Sequence, residues 1–135
     1  MKRLFFYLLV GGVGFIVDAA LLTLLVNVLD FNPYLARLLS FPPAVLVTWL
    51  LNRQLVFVSQ ADTVKTRSLE YGRYFTVQTV GALINLAVYM GCLTLWVTLK
   101  NWPVLALAAG SVVALGFNYV GAKCWVFGQA NRPKV

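Results

Sequence analysis

Asp18 and Asn85 are polar side chains that each interrupt a long apolar stretch of the chain. A carboxylate inside a lipid bilayer costs about 2.5–3.5 kcal/mol on insertion scales, so such a residue is a functional-site candidate by default. The alternative for Asp18 is a structural role, in which a protonated or hydrogen-bonded carboxyl group holds helices together. Gly14-Phe-Ile-Val-Asp18 resembles Gly81-Ala-Leu-Ile-Asn85 at an offset of 67, three residues short of the offset of 70 that matches the rest of the chain. This likeness predicts that both polar groups face one interior.

Two basic residues end apolar stretches in the same way. Arg53 lies in TWLLNRQLVF, residues 48–57, and Lys123 lies in NYVGAKCWVF, residues 118–127, each four positions before a Phe. Each residue alone fits a helix-end anchor. Their repetition at matched places makes a functional role a second possibility for both.

Other polar residues extend this candidate site. Arg3 and Arg73 are basic residues that also lie 70 positions apart. Arg37 lies about one turn inside the opposite end of an apolar stretch, where it either reaches the outer head groups or holds a phosphate on that side. The inner halves of the apolar stretches carry further polar candidates, namely Thr48, Asn52, Asn118 and Tyr119.

Catalytic and metal-binding patterns are absent from the sequence. The chain has no His, which removes the commonest metal ligand and a frequent general base. It has no carboxylate pair at a useful spacing, no Ser beside a base and no phosphate-binding glycine loop. Cys92 and Cys124 are expected at different membrane depths, so no disulfide is predicted. We therefore expect no enzyme activity, no catalytic residues, no metal and no cofactor.

The composition places these residues in an integral membrane protein. Hydrophobic residues make up 61% of the 135 residues and charged residues 11%, whereas about a quarter of an ordinary soluble domain is charged. A net charge of +7 suggests nucleic acid in a soluble protein, but here the basic residues lie mostly between apolar stretches. Their positions favour membrane topology and contact with anionic lipids instead, and no nucleic-acid partner is expected.

The elements that position the polar residues are expected to be helices, because helices satisfy every backbone group within the bilayer. A membrane-spanning helix needs about 20 mainly apolar residues. The first stretch is too long for a signal peptide and is interpreted as a retained span. The sequence predicts an all-α membrane protein with four transmembrane helices, over about Leu4–Leu29, Tyr34–Phe57, Tyr74–Leu99 and Val104–Phe127.

Small residues and prolines mark two features of these helices. The segment Gly11–Gly14 and Gly81 predict faces where helices approach closely. Pro42-Pro43, inside the second predicted helix, removes two N–H donors and releases the carbonyls of Leu38 and Leu39. The proline pair fits either a tolerated kink or backbone that lines a polar cavity.

The Lys and Arg residues are distributed unevenly among the connections. Nine of the 11 fall at the two termini or in the central connection, which leaves Arg37 and Lys100 for the other face. Because Lys and Arg accumulate on the cytoplasmic side, we expect both termini and the central connection in the cytoplasm. The predicted location is the cytoplasmic (inner) membrane, crossed several times.

The chain also matches itself at an offset of 70 residues. Matched positions include Arg3 with Arg73, Pro33 with Pro103, Arg53 with Lys123 and Phe57 with Phe127. Each half holds two spans, so the halves are expected to run parallel around an axis along the membrane normal. The single transmembrane domain, residues 1–135, then comprises repeat 1 at about 3–57, a cytoplasmic connection at 58–72, repeat 2 at about 73–127 and a tail at 128–135.

The connection carries apolar residues that fit a short helix on the membrane surface, namely Val64, Leu69, Tyr71 and Tyr74.

Several of these motifs resemble the GtrA-like family. The first half has an Arg-Phe-type start, Gly-Gly and an intramembrane Asp in the first span, and a second span that ends in Asn-Arg-x-x-Val-Phe. The second half has Asn118 and ends in Lys-x-Trp-x-Phe. The likeness covers about residues 3–127, and it departs from the family pattern at Gln54-Leu55, where an aromatic is frequent.

The resemblance implies a small four-span protein of cell-surface polysaccharide synthesis or modification. Its expected activity is the flipping of a polyprenyl-phosphate-linked sugar, or of the polyprenyl-phosphate carrier, across the cytoplasmic membrane. The resemblance further implies that Arg53 and Lys123, joined by Arg3 and Arg73, bind the phosphate head, since an Arg guanidinium binds a phosphate through two parallel hydrogen bonds and a Lys ammonium supplies a point charge. The expected partners are that sugar lipid, anionic lipids, a membrane glycosyltransferase and a second copy of the chain, since four helices enclose little space.

Two other functions stay open on the sequence. One is a proton-coupled exporter of cations or drugs, of the small multidrug resistance type, that uses Asp18. The other is a non-transporting membrane subunit of a glycosyltransferase. The strong Lys and Arg asymmetry and the charge of +7 favour the lipid-linked sugar over a cationic substrate.

Overall fold

The computed structural model describes residues 1–101 and 103–128, without the side chains at positions 33, 34, 37, 100, 103, 104 and 107. Four α-helices follow one another along the described chain. They are α1, Lys2–Thr23, α2, Pro33–Leu51, α3, Val64–Leu95, and α4, Pro103–Gly121. Single π-helical turns extend three of them, at Leu24–Val28, Asn52–Val56 and Ala122–Val126, and a 3-10 helix, Val97–Asn101, follows α3. The all-α prediction and the four helices are confirmed.

Local sequence explains where the helices begin. Pro33 and Pro103 occupy the first positions of α2 and α4, where a missing N–H is tolerated. Thr63 caps α3: its hydroxyl accepts from the Thr66 N–H at 3.2 Å, and the Thr66 hydroxyl accepts from the Thr63 N–H at 3.0 Å. Such a reciprocal cap satisfies two donors that the helix cannot pair internally.

Two described helical segments are long and apolar enough to cross a bilayer. They are Lys2–Val28, with 27 residues, and Val64–Leu95, with 32 residues. Most of their side chains are exposed in the isolated chain, as expected for helices whose outer faces meet lipid rather than water.

The start of α3 differs from the expected separate surface helix. Val64, Leu69, Tyr71 and Tyr74 lie in the first turns of α3, which continues without interruption to Leu95. The physical reason is local: Thr63 caps the helix, and no Pro occurs between positions 64 and 95 to stop it. Most of the predicted connection is therefore part of the third helix.

The helices pack in neighbouring pairs, α1 against α2 and α3 against α4, with α2 also against α3. Glycines allow the closest approaches. A Cβ added at Gly14 would overlap the Thr48 side chain, and one added at Gly81 would overlap Asn118. The close-approach prediction is confirmed at these two glycines, whereas a Cβ at Gly11 or Gly12 would meet no described atom within 4 Å.

An aromatic cluster joins the helix pairs at one end of the bundle. Phe57 and Phe127 stack with their ring centroids 4.9 Å apart and their planes at 10°. Tyr7 lies 6.2 Å from Phe57, and Tyr74 lies 6.2 Å from Phe127. All four side chains are buried, so this cluster fixes how the two pairs meet.

Contacts recur between the two pairs at two different offsets. In α2 and α4 the offset is 70, since Ala36 and Ala106 are both fully buried and Phe57 faces Phe127. In α1 and α3 the offset is 67. Tyr7 contacts Phe57 as Tyr74 contacts Phe127, and Gly14 and Gly81 each pack against a side chain of the following helix. An offset of 70 from end to end therefore does not describe the contacts of α1 and α3.

Candidate functional site

A cavity with several polar side chains in its wall lies between the four helices. This central cavity has a volume of about 210 Å³ and receives side chains from α1, α2, α3 and α4 and from the turn after α2. Its apolar wall includes Phe15, Phe41, Ala44, Val45 and Leu115. Its polar lining consists of Tyr7, Asp18, Thr48, Asn52, Tyr74, Gln78 and Asn118.

Hydrogen bonds across the cavity tie the helices together. The Asn52 amide donates to the Tyr74 hydroxyl at 2.7 Å, and the Gln78 amide donates to the Tyr7 hydroxyl at 3.3 Å. The Asn118 amide in turn donates to the Gln78 carbonyl oxygen at 3.2 Å. Each bond joins two different helical segments, so the polar lining is held in place by the fold itself.

Two of these lining residues each hold a buried acceptor atom that stays unpaired. The Oδ1 atoms of Asn52 and Asn118 are buried and accept no hydrogen bond from any described residue. Burying an amide oxygen without a donor is unfavourable, and such groups in native proteins call for a specific explanation.

Asp18 lines the same cavity and also bridges two helices. The Ser40 hydroxyl donates to Asp18 Oδ1 at 2.7 Å, and Ser40 itself is fully buried. The structural role considered for Asp18 therefore has a definite contact, between α1 and α2. Its position at the cavity wall keeps the functional role open as well.

Asn85 lies elsewhere. Its side chain packs against Gly110 of α4, where an added Cβ would overlap its amide, and Asn85 is not among the described residues that line the central cavity. The structure thus brings together Asp18, Thr48, Asn52 and Asn118 of the predicted intramembrane set.

The proline pair does not expose backbone to this cavity. α2 continues through Pro42 and Pro43, and the Tyr71 hydroxyl donates to the Pro42 carbonyl at 3.2 Å. Leu38 and Leu39, whose carbonyls the prolines release, are exposed and absent from the described lining. Their placement favours the tolerated kink.

Arg53 is engaged by a carboxylate that the sequence did not single out. Its Nε lies 3.1 Å from Oε1 of Glu70, and its Nη2 donates to the Ala61 carbonyl at 2.7 Å. Glu70 also accepts from the Trp49 indole N–H at 2.9 Å and from the Ser59 hydroxyl. Glu70 is only 8% exposed, so its negative charge is held next to Arg53 with little screening by solvent. It therefore neutralises most of the positive charge that Arg53 would offer a phosphate.

Glu70 lies on the buried face of α3, which only the structure reveals. Glu70, Tyr74, Val77 and Gly81 are all buried, at intervals of four, three and four. Residues at these intervals share one helix face, so Glu70 lies on the same face of α3 as Tyr74, and this face packs against the other helices.

A second cavity lies beside this cluster and holds another predicted cation. This end cavity has a volume of about 330 Å³. Arg73 lines it, and its guanidinium carbon also lies 5.9 Å from the centre of the Trp125 ring. The other described lining residues are Ser59, Gln60, Ala61, Thr66, Leu69, Glu70, Val126 and Phe127.

The remaining predicted cations lie outside both described linings. Arg3 and Lys123 are exposed near the same end of the bundle. The side chain of Arg37 lies outside the described residues. Tyr7, Tyr74 and Gln78 line the central cavity although they were not predicted as site residues.

The chain matches the family model of the GtrA/DPMS transmembrane domain over residues 6–127. The chain belongs to this family. It is also similar to the cell wall teichoic acid glycosylation protein GtcA of Listeria monocytogenes, with 26% identity over 133 residues, which cover 94% of this chain and 86% of that protein. The predicted resemblance to the GtrA-like family is confirmed.

The GtrA/DPMS match includes every described residue of both cavities, since their linings run from Tyr7 to Phe127. A transmembrane-domain family and two membrane-capable helical segments together identify a membrane protein. Among the described residues of this GtrA-family chain, no group of three or more His, Cys, Asp or Glu side chains is placed to hold a metal ion.

Proposed function

We propose that this protein flips a polyprenyl-phosphate-linked sugar, or the polyprenyl-phosphate carrier, across the cytoplasmic membrane during synthesis or modification of a cell-surface polysaccharide. Family membership supports a membrane role, and the similarity to a protein named for teichoic acid glycosylation supports a link to glycosylation.

The central cavity is the observation that carries this proposal. Its amides, hydroxyls and carboxyl group come from all four helices, whereas the outward helix faces are apolar. A sugar that leaves water needs replacement hydrogen bonds, because an unpaired polar group in an apolar medium costs several kcal/mol. An isoprenoid tail needs none and stays in the surrounding lipid.

The cavity is small for this task. Its volume of about 210 Å³ lies below the roughly 300–1,000 Å³ of typical ligand sites. A sugar head group therefore requires the helices to separate, or a second copy of the chain to complete the path. We include a homodimer in the proposal for this reason.

The phosphate is proposed to bind at the end of the bundle where the cations gather. Arg53 is held by Glu70, which leaves Arg73 of the end cavity as the better placed guanidinium, beside the hydroxyls of Ser59 and Thr66. Arg3 and Lys123 add positive charge near this end. Arg53 then acts mainly by positioning the Ala61 carbonyl and the segment around it.

The proposed orientation places both termini and this cationic end in the cytoplasm, with two parallel two-helix repeats. The positive-inside rule supports the orientation. The recurrence of buried contacts at offsets of 67 and 70 supports the duplicated architecture.

Reconstitution tests the proposal. Proteoliposomes containing a fluorescent polyprenyl-phosphate sugar are expected to move its head group across the bilayer faster than protein-free liposomes. Arg73→Ala is expected to slow this movement at least about tenfold, as expected for loss of a charge-assisted phosphate contact, whereas Lys65→Ala, an exposed residue of the same helix, serves as the charge-matched control. Equal rates with and without protein would contradict the proposal.

Asp18 gives a second candidate function some support. A carboxyl group at the wall of a cavity between membrane helices is also the arrangement expected of a proton-coupled cation exporter. Asp18→Asn distinguishes the two: loss of resistance to a cationic dye, with lipid flipping intact, would favour the exporter.

A further inference from the structure

The ion pair between Arg53 and Glu70 has a definite orientation relative to the end cavity. Glu70 lines this cavity, whereas Arg53 is not among the described residues that line it. The pair as a whole is neutral, with Arg53 Nε 3.1 Å from Glu70 Oε1, but it presents its negative member to the cavity. Because Glu70 is buried, solvent and salt screen its charge much less than they screen an exposed one. The wall of the end cavity therefore carries a fixed negative charge.

The two side-chain hydroxyl groups at this cavity already donate elsewhere. The Ser59 hydroxyl donates to Glu70, and the Thr66 hydroxyl donates to the Thr63 carbonyl at 3.0 Å. Arg73 is the cation of the described lining, and it lies three positions after Glu70 on α3. Residues three apart on a helix are neighbours, so a phosphate that Arg73 holds also lies close to the Glu70 carboxylate.

The two candidate substrates differ in the charge of their phosphate. A polyprenyl-phosphate-linked sugar is a phosphodiester, which carries one negative charge. The free carrier is a phosphomonoester, whose second pKa of about 6 gives it a charge of about −1.5 to −2 at neutral pH. One guanidinium pairs two phosphate oxygens and neutralises the diester. The additional charge of the monoester is attracted by Arg73 but repelled by Glu70, and it must also be desolvated.

We propose that Glu70 makes the end cavity selective for a phosphodiester monoanion over a phosphomonoester dianion. The protein then binds the sugar-bearing lipid in preference to the free carrier. This inference rests on the proposed function and deepens it, since that function leaves both lipids open. Glu70 is a specificity-determining residue here, and it acts through its charge rather than through a hydrogen bond to the phosphate.

Other charged residues at this end of the bundle lie outside the described lining. They are Arg3, Asp62, Arg67 and Lys123, and all four are exposed. Water and salt screen exposed charges within about 8–10 Å. Their effect on the choice between the two phosphates is therefore expected to be smaller than the effect of Glu70.

Two short lipids without a sugar test the effect of phosphate charge alone. The probes are citronellyl phosphate, a monoester, and citronellyl methyl phosphate, a diester with the same tail, titrated onto the full chain in phosphatidylcholine nanodiscs. At about pH 8 the wild type is expected to bind the diester about fivefold more tightly than the monoester.

The same titration at about pH 5 separates charge from shape. The monoester is mostly a monoanion at this pH, so the ratio of the two affinities is expected to fall to about twofold or less. The diester keeps its charge over this range, so its own affinity reports any titration of Glu70, Arg53 or Arg73. A preference that came from apolar contact with the methyl group would persist at about pH 5.

Substitutions at the wall test whether Glu70 sets the ratio. Glu70→Gln, and Arg53→Gln combined with Glu70→Gln, are each expected to lower it to about one or less at about pH 8, because the negative charge at the wall is removed. The double variant leaves no uncompensated buried charge, so it carries the test if the single variant does not fold. Gln60→Lys adds a cation at an exposed lining residue and is expected to lower the ratio without disturbing the ion pair.

Asp62→Asn is the matched control. It makes the same kind of change, from carboxylate to amide, at an exposed residue outside the described lining. This variant is expected to keep the wild-type ratio. Binding of the diester shows that a variant is folded.

Anionic membrane lipids are phosphodiesters too, so a further arm adds phosphatidylglycerol to the nanodiscs. The isoprenoid diester is expected to keep most of its affinity in their presence. If phosphatidylglycerol abolishes its binding, the end cavity belongs to bulk anionic lipid, and the assignment to the substrate is overturned.

Three other outcomes overturn the selectivity. They are binding of neither probe by the wild type, a monoester that binds at least as tightly as the diester at about pH 8, and a preference that survives the Glu70 variants. The proposed function is tested separately by flipping in proteoliposomes. A Glu70-dependent preference in a protein that flips no lipid would leave the selectivity standing alone, and flipping without a preference would contradict the selectivity alone.

Discussion

Glu70 determines what Arg53 can do. The carboxylate accepts from Arg53, Trp49 and Ser59 at once. Glu70 is buried and Arg53 is largely buried, with side chains 8% and 11% exposed. A buried ion pair is weak evidence of net stabilisation, but loss of one member leaves the other charge uncompensated. The residue that looked most like a phosphate ligand is therefore first a structural partner.

Glu70→Gln is expected to lower the free energy of unfolding by about 3 kcal/mol, because Arg53 then keeps a buried charge without its counter-ion. The measurement is unfolding in detergent micelles. Arg53→Gln combined with Glu70→Gln is expected to be less destabilising than the two single changes added together, since it removes both charges. Asp62→Asn, at an exposed carboxylate, is the control; a Glu70→Gln protein as stable as this control would show that the pair is not buried.

Side-chain partners of this kind could not be predicted from the sequence. Arg53 and Glu70 are 17 positions apart, and Gln78 and Tyr7 are 71 apart. The first contact depends on how the end of α2 packs against α3, and the second on how α1 approaches α3, which no local pattern specifies. The polar residues themselves were visible as interruptions of apolar stretches, so Asp18, Thr48, Asn52 and Asn118 could be predicted as site residues while their partners could not.

The bounds of the helices were predicted more accurately than the register between the two halves of the chain. A run of apolar residues must become helical in lipid regardless of its neighbours, and the predicted first span, Leu4–Leu29, differs little from the helical segment Lys2–Val28. The register between the halves depends on contacts. In α1 and α3 the close contacts recur at an offset of 67, because Gly14 and Gly81 are the residues that admit a neighbouring helix, and the likeness of residues 14–18 to residues 81–85 has the same offset.

Gly81→Ala tests this register. The added methyl group would overlap the Asn118 side chain, and overpacking of this kind typically costs about 1–3 kcal/mol. Gly91→Ala in the same helix meets no described atom within 4 Å and is expected to leave stability unchanged or to raise it by up to about 1 kcal/mol, through helix propensity. Unfolding in detergent micelles compares the two. If both variants are equally stable, α3 and α4 do not meet at Gly81.

α3 is longer than the hydrocarbon core of a bilayer is thick. Its 32 residues extend about 48 Å at about 1.5 Å per residue, whereas the hydrocarbon core is about 30 Å thick. The excess is expected at its N-terminal end, where Lys65, Arg67 and Arg73 lie. These cations, together with those at the N-terminus, give the +7 protein one strongly basic end, suited to anionic lipid.

Orientation follows from the same asymmetry and can be measured with cysteines. In a background with Cys92→Ala and Cys124→Ala, Asp62→Cys places a thiol in the basic connection, and Asn101→Cys places one at the opposite end; both positions are exposed. Because basic segments are retained in the cytoplasm, a membrane-impermeant maleimide is expected to label Asn101→Cys in intact spheroplasts and Asp62→Cys only after permeabilisation. The reverse pattern would invert the proposed topology and place Arg73 and the end cavity outside the cell, where they could only receive a phosphate lipid that had already crossed.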